Sequence, residues 1–360
     1  MLSRSLPLTL GYSVEIAPDF RGLAAALRAV VRPSGAVVVT NPTVRALHGA
    51  ALAQELADPR MTWIEIPDGE AYKTLDTWQG VVGAILATRP DRAGVVLAFG
   101  GGVVGDLAGF AAATVLRGLP LVQVPTTLLA MVDASVGGKT GVNVPEGKNL
   151  VGAFHQPRLV WAALHTLGTL PARELRCGFG EIVKHAILGG EGALSALEAQ
   201  APALHAAKAG ALASALATSI EVKARIVERD PLERGERALL NLGHTLGHAV
   251  ETVAGYGTFA HGEAVAMGTM AAARLAVELG LAPNSAFTQR VSRVLRQLAL
   301  PVQLPAGLDD DALIDAMGFD KKRERGMVKL VIPVAAGDVR VCPLPEAELR
   351  RLVVAGRTAC

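Results

Sequence analysis

The first part of the chain, up to about residue 165, alternates short apolar runs with longer segments rich in alanine and leucine. Each run is six to eight residues long, carries β-branched residues and is bounded by turn residues, which predicts strands buried on both faces. The segments between them, such as 43–57 and 74–88, are predicted helices. Because parallel strands need crossover helices, this alternation predicts a mainly parallel sheet covered on both faces. The predicted strands are 36–41, 62–67, 94–101, 119–125 and 158–163.

The strand pattern ends near residue 170, and predicted helices dominate the rest of the chain. A helix starting at Pro171 would bring Glu181, Lys184 and His185 within one turn, where an ordinary surface ion pair is the alternative to a functional cluster. We therefore predict two domains, an α/β domain over 1–170 and a mainly α-helical domain over 171–360. The further predicted elements are helices at 191–229, 236–255, 262–280 and 284–299 and a late hairpin at 327–333 and 338–344.

A polar stripe at helical spacing runs through segment 237–251. Its members follow at steps of four, three, four and three: Arg237, Asn241, His244, His248 and Glu251. One continuous helix would place all five on one face. A solvated face is the alternative, but solvated faces are usually rich in Lys and Glu, whereas this one holds Asn and two His. With His261 ten residues further on, imidazoles and a carboxylate form the ligand set of a catalytic Zn²⁺ or similar divalent ion. The spacing leaves the third ligand open.

Composition narrows the classes of partner. The 35 basic and 33 acidic residues leave a net charge of +2 without a run of five like charges, so neither nucleic acid nor an acidic membrane is an expected partner. Cys177, Cys342 and Cys360 are too few and too scattered for a disulfide framework or a zinc ribbon. The apolar runs are interrupted by Gly, Pro or charge, so we expect a soluble, cytoplasmic protein without a membrane span.

A glycine-rich stretch, GGGVVGD at 100–106, directly follows a predicted strand. Gly100, Gly102 and Gly105 satisfy the GxGxxG spacing, and the next segment can form a helix whose N-terminus would hold a pyrophosphate. A plain tight turn is the alternative. The stretch departs from the Rossmann fingerprint because it follows the third strand and no acidic residue stands about twenty positions on. A dinucleotide site of another kind is therefore favoured.

Segment 124–157 is dense in Gly, Lys, Thr and Asn and is predicted to be a long loop. Its GGKT sequence does not make a P-loop, since that motif would need glycine where the chain has Asp133. Lys139, Lys148 and Asn149 suit anionic oxygens, and an ordinary exposed surface loop is the alternative.

Several long motifs occur together and in one order, over roughly residues 68–330: GGGVVGDLAGF, VPTTLLAMVDASVGGKTGVN, GKNLVGAFHQP, GFGEIVKHA, IEVKARIVERDPLERGERALLNLGHTLGHAVE, HGEAVAMG and DKK. Through these motifs the chain resembles the 3-dehydroquinate synthase family. The resemblance implies a Rossmann-like NAD-binding N-terminal domain and an α-helical C-terminal domain that binds metal and substrate. It further implies tightly held NAD, one divalent metal, with Zn²⁺ expected and Co²⁺ as the alternative, and a homodimer.

The resemblance also implies a reaction on a small sugar phosphate. 3-Deoxy-D-arabino-heptulosonate 7-phosphate would be converted to 3-dehydroquinate and phosphate, the second step of the shikimate pathway toward chorismate and the aromatic amino acids. In that reaction NAD⁺ transiently oxidises the C5 hydroxyl, phosphate leaves by β-elimination, the hydride returns, and the opened ring closes by an internal aldol. No net redox change occurs, so NAD is regenerated in each turnover.

Site residues follow from the resemblance position by position. It implies Glu181, His244 and His261 as metal ligands, and His248 as a neighbouring group that relays protons. Its implied NAD contacts are Asp68, Glu70, Lys73, Gly102, Val103, Gly105, Asp106, Thr126, Thr127, Lys148, Thr166 and Thr169. Its implied substrate contacts are Asn149, Lys184, Lys223, Arg237, Asn241 and one of Lys321 or Lys322. Asp133 and Lys139 are assigned to both groups. Arg117 would reach the substrate phosphate across the dimer interface, and Asn41 stands where an acidic group toward the adenosine ribose is sometimes found.

Three alternatives stay open. Other sugar phosphate cyclases, which make 2-deoxy-scyllo-inosose or 2-epi-5-epi-valiolone, use substrates without the carboxylate. A metal-dependent alcohol dehydrogenase of the glycerol dehydrogenase kind would release NADH. A non-catalytic NAD or metal sensor would not need the full set of phosphate- and carboxylate-binding cations.

Overall fold

The computed structural model describes residues 3–31, 33–255, 257–318, 323–324 and 327–358. The chain forms two compact units, Met1–Pro171 and Ala172–Cys360, which we call the N-terminal unit and the C-terminal unit. Within the described ranges, no helix is both long enough and apolar enough to cross a bilayer.

The N-terminal unit is an α/β unit. Its described strands are β1 (Arg4–Leu8), β2 (Tyr12–Ala17), β3 (Ala36–Thr40), β4 (Met61–Glu65), β5 (Val95–Gly100), β6 (Leu121–Pro125), β7 (Lys139–Val144), β8 (Gly147–Phe154) and β9 (Leu159–Ala163). Its described α-helices are α1 (Leu23–Val30), α2 (Pro42–Leu56), α3 (Leu75–Ala87) and α4 (Gly102–Thr114). Seven strands form one sheet in the order β1-β2-β9-β6-β5-β3-β4, and every neighbouring pair except β1 and β2 is parallel. The predicted mainly parallel sheet is confirmed.

Helices cover both faces of this sheet, which explains why its central strands are mostly apolar. Leu27 of α1 and Leu52 of α2 pack in one core with Val38 and Leu97. The next residues along the same strands, with side chains on the opposite face, belong to a second core that includes α3 and α4. β3, β5, β6 and β9 are therefore buried at every position.

Two strand pairs of the N-terminal unit were not predicted from the sequence pattern. β1 and β2 were not predicted; β1 is an exposed edge strand that pairs antiparallel with β2, so its apolar pattern is weak. The long loop predicted at 124–157 is wrong in part, because β7 and β8 form an antiparallel hairpin within it. Its glycines allow close backbone approach: a Cβ on Gly152 would lie 2.0 Å from the backbone oxygen of Thr140. Val142, meanwhile, is buried against the second core.

The C-terminal unit is mainly α-helical. Its described helices are α5 (Ala172–Gly189), α6 (Glu191–His205), α7 (Ala209–Arg229), α8 (His244–Val253), α9 (His261–Glu278), α10 (Ala286–Gln297), α11 (Asp310–Gly318) and α12 (Glu348–Arg357). Its described strands, β10 (Arg323–Glu324), β11 (Met327–Ala335) and β12 (Asp338–Pro345), form an antiparallel sheet. The predicted late hairpin is confirmed as β11 and β12. The segment predicted as a single helix over 191–229 forms two, α6 and α7.

The single helix predicted over 236–255 is also wrong. A 3₁₀ helix runs over Glu236–Asn241, and α8 begins only at His244. Between them, Gly243 adopts a left-handed backbone with φ of 79°, and a Cβ there would lie 2.4 Å from Thr269 Oγ1. Only glycine fits this conformation and this contact without strain. The five polar residues of the predicted stripe therefore do not share one continuous helix face.

Candidate metal and nucleotide sites

The three expected metal ligands lie in one cluster of the C-terminal unit. Glu181 belongs to the middle of α5, while His244 and His261 are the first residues of α8 and α9. Close backbone contact makes this convergence possible. A Cβ on Gly262 would lie 1.8 Å from the backbone oxygen of Cys177, so the start of α9 touches the backbone of α5 directly.

The cluster has the spacing of a metal site. Glu181 Oε1 lies 3.6 Å from His244 Nε2 and 3.5 Å from His261 Nε2. Tetrahedral Zn²⁺, bound at about 2.0–2.1 Å, separates its nitrogen and oxygen ligands by about 3.4 Å. Glu181 is fully buried, yet its Oε1 has no hydrogen-bond partner among the described residues. A buried carboxylate oxygen that faces two imidazole nitrogens at this distance fits a divalent ion with three protein ligands and an open position.

The second nitrogen of each imidazole ring is also engaged. His244 Nδ1 donates to the backbone oxygen of Leu242 at 3.1 Å. His261 Nδ1 lies 3.3 Å from Glu251 Oε2. A proton on Nδ1 leaves the lone pair on Nε2, which is the nitrogen nearest Glu181. Such outer contacts orient histidine ligands in metal sites.

A buried cation adjoins the cluster and sets its electrostatics. The Lys184 ammonium forms a direct ion pair with Glu181 Oε2, and both side chains are buried. Burial alone would raise the pKa of Glu181, but Lys184 and the two imidazoles hold that pKa well below its usual value. Burial and Lys184 together lower the pKa of His244 well below its usual value. Burial also lowers the pKa of His261, but Glu181 and Glu251 outweigh it and raise that pKa to about 9.

Other expected residues of the C-terminal unit lie on neighbouring elements. Lys223 is buried in α7, and Arg237 is buried in the 3₁₀ helix, where its Nη1 donates to the Pro231 carbonyl at 2.6 Å. Asn241 Nδ2 donates to Glu233 Oε1 at 3.1 Å. The exposed ring of His248 lies 5.2 Å from that of His244, centroid to centroid. These assignments stay predictions, and those for Lys321 and Lys322 lie outside the described residues.

In the N-terminal unit, the glycine-rich stretch lies where β5 ends and α4 begins. Gly101 caps α4 without a side chain, so the backbone N–H groups of the first turn remain available to an anion. A Cβ on Gly100 would lie 2.6 Å from Val104 Cγ2, and one on Gly105 3.0 Å from Gln123 Oε1. Glycine at these positions lets α4 pack closely on the sheet, as it does in dinucleotide-binding turns.

A buried lysine connects three of the expected contacts. Lys73 Nζ donates to Asp106 Oδ2 and to Asn149 Oδ1, at 2.5 Å in both cases. Burial raises the pKa of Asp106, and Lys73 opposes that rise. Asn149 has a left-handed backbone with φ of 55°, stabilised by a bond from its N–H to Asn143 Oδ1 at 3.0 Å. Two expected NAD contacts and one expected substrate contact are thus brought together.

The remaining expected contacts of this unit occupy its turns and strand ends. Asp68 Oδ2 accepts from Thr43, Glu70 Oε1 accepts from Asn143, and Thr127 Oγ1 accepts from the Ala130 N–H. Thr166 and Thr169 belong to a 3₁₀ helix after β9, and Thr126 directly follows β6. Lys139 begins β7, Lys148 lies in β8, and Asp133 belongs to a π-helical turn. Arg117 is exposed and has a left-handed backbone with φ of 65°. Asn41 caps α2 by accepting from the Val44 N–H.

Sequence reasoning missed the outer contacts of the cluster. Glu251 stood in the polar stripe but received no role, and the Leu242 carbonyl carries no sequence signal. The pair at Glu181 and Lys184 is fully buried, so the surface-pair alternative is wrong. The apolar residues that surround Glu181, Lys184 and His185 in the chain, which are Phe179, Ile182, Val183, Ala186 and Ile187, were the available signal for burial.

The fold and the cluster define a class: a two-unit protein with a parallel-sheet α/β unit and a helical unit in which three side chains could hold a divalent ion. Comparison with known proteins makes the class specific. Family models described as 3-dehydroquinate synthase N-terminal and 3-dehydroquinate synthase C-terminal match residues 63–177 and 178–323. The chain belongs to the 3-dehydroquinate synthase family.

Relatives match along nearly the whole chain. A 3-dehydroquinate synthase of Xanthomonas oryzae pv. oryzae (strain MAFF 311018) is 46% identical over 354 residues, which cover 96% of this chain and 95% of that protein. One of Symbiobacterium thermophilum is 46% identical over 329 residues, 89% of this chain and 92% of that protein.

Solved structures of related cyclases share the fold. A 2-epi-5-epi-valiolone synthase from Streptomyces hygroscopicus subsp. jinggangensis 5008, with NAD⁺ and Zn²⁺ bound, superposes with a TM-score of 0.83 at 32% identity, covering 95% of this chain and 96% of that one. A 2-deoxy-scyllo-inosose synthase complexed with carbaglucose-6-phosphate, NAD⁺ and Co²⁺ has a TM-score of 0.84 at 22% identity, covering 98% and 100%. The latter likeness concerns the fold alone.

Proposed function

We propose that the chain is an enzyme that converts 3-deoxy-D-arabino-heptulosonate 7-phosphate to 3-dehydroquinate and phosphate, a phosphate-eliminating lyase of the shikimate pathway. The observation that carries the proposal is the cluster of Glu181, His244 and His261. Two relatives that are 46% identical to this chain, matched over 95% and 92% of their own length, bear the name of this activity. The reaction needs both a hydride acceptor and a Lewis acid, and the two units offer separate candidate sites for them.

Glu181, His244 and His261 would hold the divalent ion, and Zn²⁺ is the metal we propose because nitrogen and carboxylate ligands in this number suit it. A bound ion supplies Lewis acidity that lowers the pKa of a substrate hydroxyl. Lys184 balances the charge of Glu181, and burial keeps His244 neutral, the form in which imidazole binds metal. His248, exposed beside His244, is proposed to move protons between the site and water.

NAD would bind the N-terminal unit at the start of α4. Its pyrophosphate would meet the free N–H groups of Gly102 and Val103, while Asp68, Glu70 and Lys73 are proposed to contact the rest of the cofactor. NAD⁺, when bound, supplies the hydride acceptor and returns the hydride within the same turnover. The buried Lys73 contacts both Asp106 of α4 and Asn149 of β8, and so links these two elements.

Cations and amides would hold the anionic substrate. We assign Lys139, Asn149, Lys184, Lys223, Arg237 and Asn241 to this task. A buried arginine suits a carboxylate or phosphate because its planar fork donates two parallel hydrogen bonds. These groups bind and orient, and their removal should lower turnover by misplacing the substrate.

We further propose that the protein is a homodimer in which the exposed Arg117 contacts the phosphate bound to the partner subunit. Arg117 and the neighbouring Leu116 are both exposed and both have a left-handed backbone. A cytoplasmic location stays a prediction from sequence.

The test follows two products at once. Purified protein loaded with Zn²⁺ and NAD⁺ is incubated with 3-deoxy-D-arabino-heptulosonate 7-phosphate, and phosphate and 3-dehydroquinate are measured together. We expect equal release of both, lost on chelation and in His261→Ala. His205→Ala, an exposed histidine at the end of α6, is the matched control and should retain full activity.

Other outcomes point to other members of the class. The likeness to 2-epi-5-epi-valiolone synthase makes that reaction the second candidate. Inactivity on the carboxylated substrate, with activity on sedoheptulose 7-phosphate or glucose 6-phosphate, would move the assignment to another cyclase. Net NADH formation at 340 nm would indicate an alcohol dehydrogenase. Tight binding of NAD and metal without turnover of any of these substrates would indicate a non-catalytic sensor.

A further inference from the structure

Glu251 is the member of the polar stripe in segment 237–251 that the proposed function leaves without a role. It lies on α8, two turns from His244, and is 8% exposed. Its Oε2 lies 3.3 Å from Nδ1 of His261, the first residue of α9. Burying a carboxylate costs free energy unless a cation or a hydrogen-bond donor compensates it, so the contact with His261 offsets the cost of burying Glu251.

We propose that Glu251 is a positioning residue for the metal centre: it accepts a hydrogen bond from Nδ1 of His261 and thereby turns Nε2 of the same ring toward Glu181. The inference rests on the proposed function only in requiring that Glu181, His244 and His261 hold a divalent ion. In that arrangement Glu251, His261 and the ion form a carboxylate–histidine–metal triad.

The two histidine ligands are oriented by different partners, and the difference matters. His244 is held by the neutral carbonyl of Leu242, whereas His261 is held by a carboxylate. Carboxylate contact raises the electron-donating strength of an imidazole ligand. Lys184 already neutralises Glu181, so in this proposal Glu251 supplies negative charge that balances a divalent ion. The negative charge, and not only the hydrogen bond, is therefore required.

One competing arrangement uses the same atoms. Ligand atoms of His248, Glu251 and His261 also lie within 4.8 Å of one another, so Glu251 could instead bind an ion directly. The positioning role is favoured because the buried oxygen without a hydrogen-bond partner belongs to Glu181 and not to Glu251. A metal bound through Nδ1 of His261 would also break the contact that holds the ring.

The experiment measures metal affinity, which does not depend on turnover. Full-length apoprotein is titrated with Zn²⁺ against a chromophoric chelator, and with Co²⁺ by its visible absorption. Glu251→Gln keeps the size and an acceptor oxygen but removes the charge. We expect Kd to rise about 10–100-fold, the range seen when outer-shell partners are removed. The Co²⁺ spectrum should shift because the ligand strength of His261 changes. Thr252→Ala, the exposed neighbour on α8, is the control and should match the wild type.

A double-mutant cycle separates positioning from general damage to the fold. If Glu251 acts through His261, adding Glu251→Gln to His261→Ala should weaken metal binding no further. Melting of each apoprotein in chelator verifies that the variants are folded. An unchanged Kd in Glu251→Gln would overturn the inference, as would additive losses in the double variant. If the wild type bound two equivalents of Co²⁺ and Glu251→Gln bound only one, Glu251 would be assigned as a direct ligand instead. Metal binding as expected without 3-dehydroquinate formation would refute only the proposed function, and absence of metal binding by the wild type would remove both.

Discussion

Replacing Lys184 by methionine tests how the buried charges of the cluster depend on one another. Lys184→Met keeps most of the side-chain volume but removes the ammonium that pairs with Glu181 Oε2 inside the C-terminal unit. Glu181 would then be a fully buried carboxylate without its ammonium partner, and its Oε1 would face two imidazole nitrogens at 3.5 and 3.6 Å. A bound divalent ion restores positive charge beside this carboxylate, so the damage should depend on metal.

The magnitude follows from the burial of both partners. Breaking a buried ion pair by removing one partner costs about 3–5 kcal/mol. For a unit of this size, each kcal/mol lowers the melting temperature by about 2–4 °C, so the apoprotein should melt about 6–20 °C lower. Lys184 also repels a divalent ion, so the variant should bind metal at least as tightly as the wild type. The loss of stability should shrink accordingly when metal is in excess.

The assay is denaturant and thermal unfolding of the full chain, with chelator and with excess Zn²⁺. Lys208→Met removes an exposed lysine before α7 and serves as the control, with an expected change within about 0.5 kcal/mol. Equal losses with and without metal would refute the reasoning, because they would mean that the ion does not replace the charge of Lys184. An apoprotein loss below about 1 kcal/mol would refute the buried-pair argument itself.

Three further predictions address other parts of the structure. Gly262→Ala places a Cβ 1.8 Å from the Cys177 backbone oxygen and should abolish metal binding or folding. Gly192→Ala, which adds a Cβ in open space, is the control and should change neither. Chelator competition measures metal binding, and circular dichroism measures folding. Burial raises the pKa of Cys177 to about 12, so at pH 8 its thiolate fraction is about one in ten thousand. Mass spectrometry should therefore find Cys177 unalkylated by iodoacetamide until denaturant is added. Lys73→Met should weaken NAD binding at least about tenfold by calorimetry, because it leaves the half-buried Asp106 without the cation that pairs with it. Lys329→Met, which removes an exposed lysine of β11, is the control.

The sequence predicted the sheet well because burial on both faces leaves a direct mark on composition. β3, β5, β6 and β9 are buried at every position and mostly apolar, and their short length and β-branched residues distinguish them from buried helices. The β7 and β8 hairpin left no such mark, since Gly141 and Gly152 stand opposite each other where side chains would otherwise show alternation. The glycine content that suggested a loose loop serves a tight backbone contact instead.

The candidate site residues were predicted from local spacing and from the family resemblance alone. Spacing alone proposed imidazole ligands from among His244, His248 and His261. It did not find Glu181, because Glu181 comes from a helix sixty-three residues before His244. Which residues of distant helices meet is decided by tertiary packing. That packing depends here on contacts of glycine with backbone, such as Gly262 against Cys177, which hydrophobic periodicity does not register.

The break before α8 explains how one short motif supplies both a proposed metal ligand, His244, and the carbonyl that orients it. In a continuous helix, the Leu242 carbonyl would accept from the N–H of residue 246, four positions on, and could not orient an imidazole. Because the 3₁₀ helix ends at Asn241 and Gly243 turns the chain through a left-handed conformation, α8 starts afresh at His244. The Leu242 carbonyl is then available to His244 Nδ1, and Nε2 is left for the ion. Glycine at 243 is thus required for the orientation of the His244 ring as much as for the fold. In the continuous helix expected from periodicity, His244 would lack its contact with the Leu242 carbonyl and would be a poorer candidate ligand.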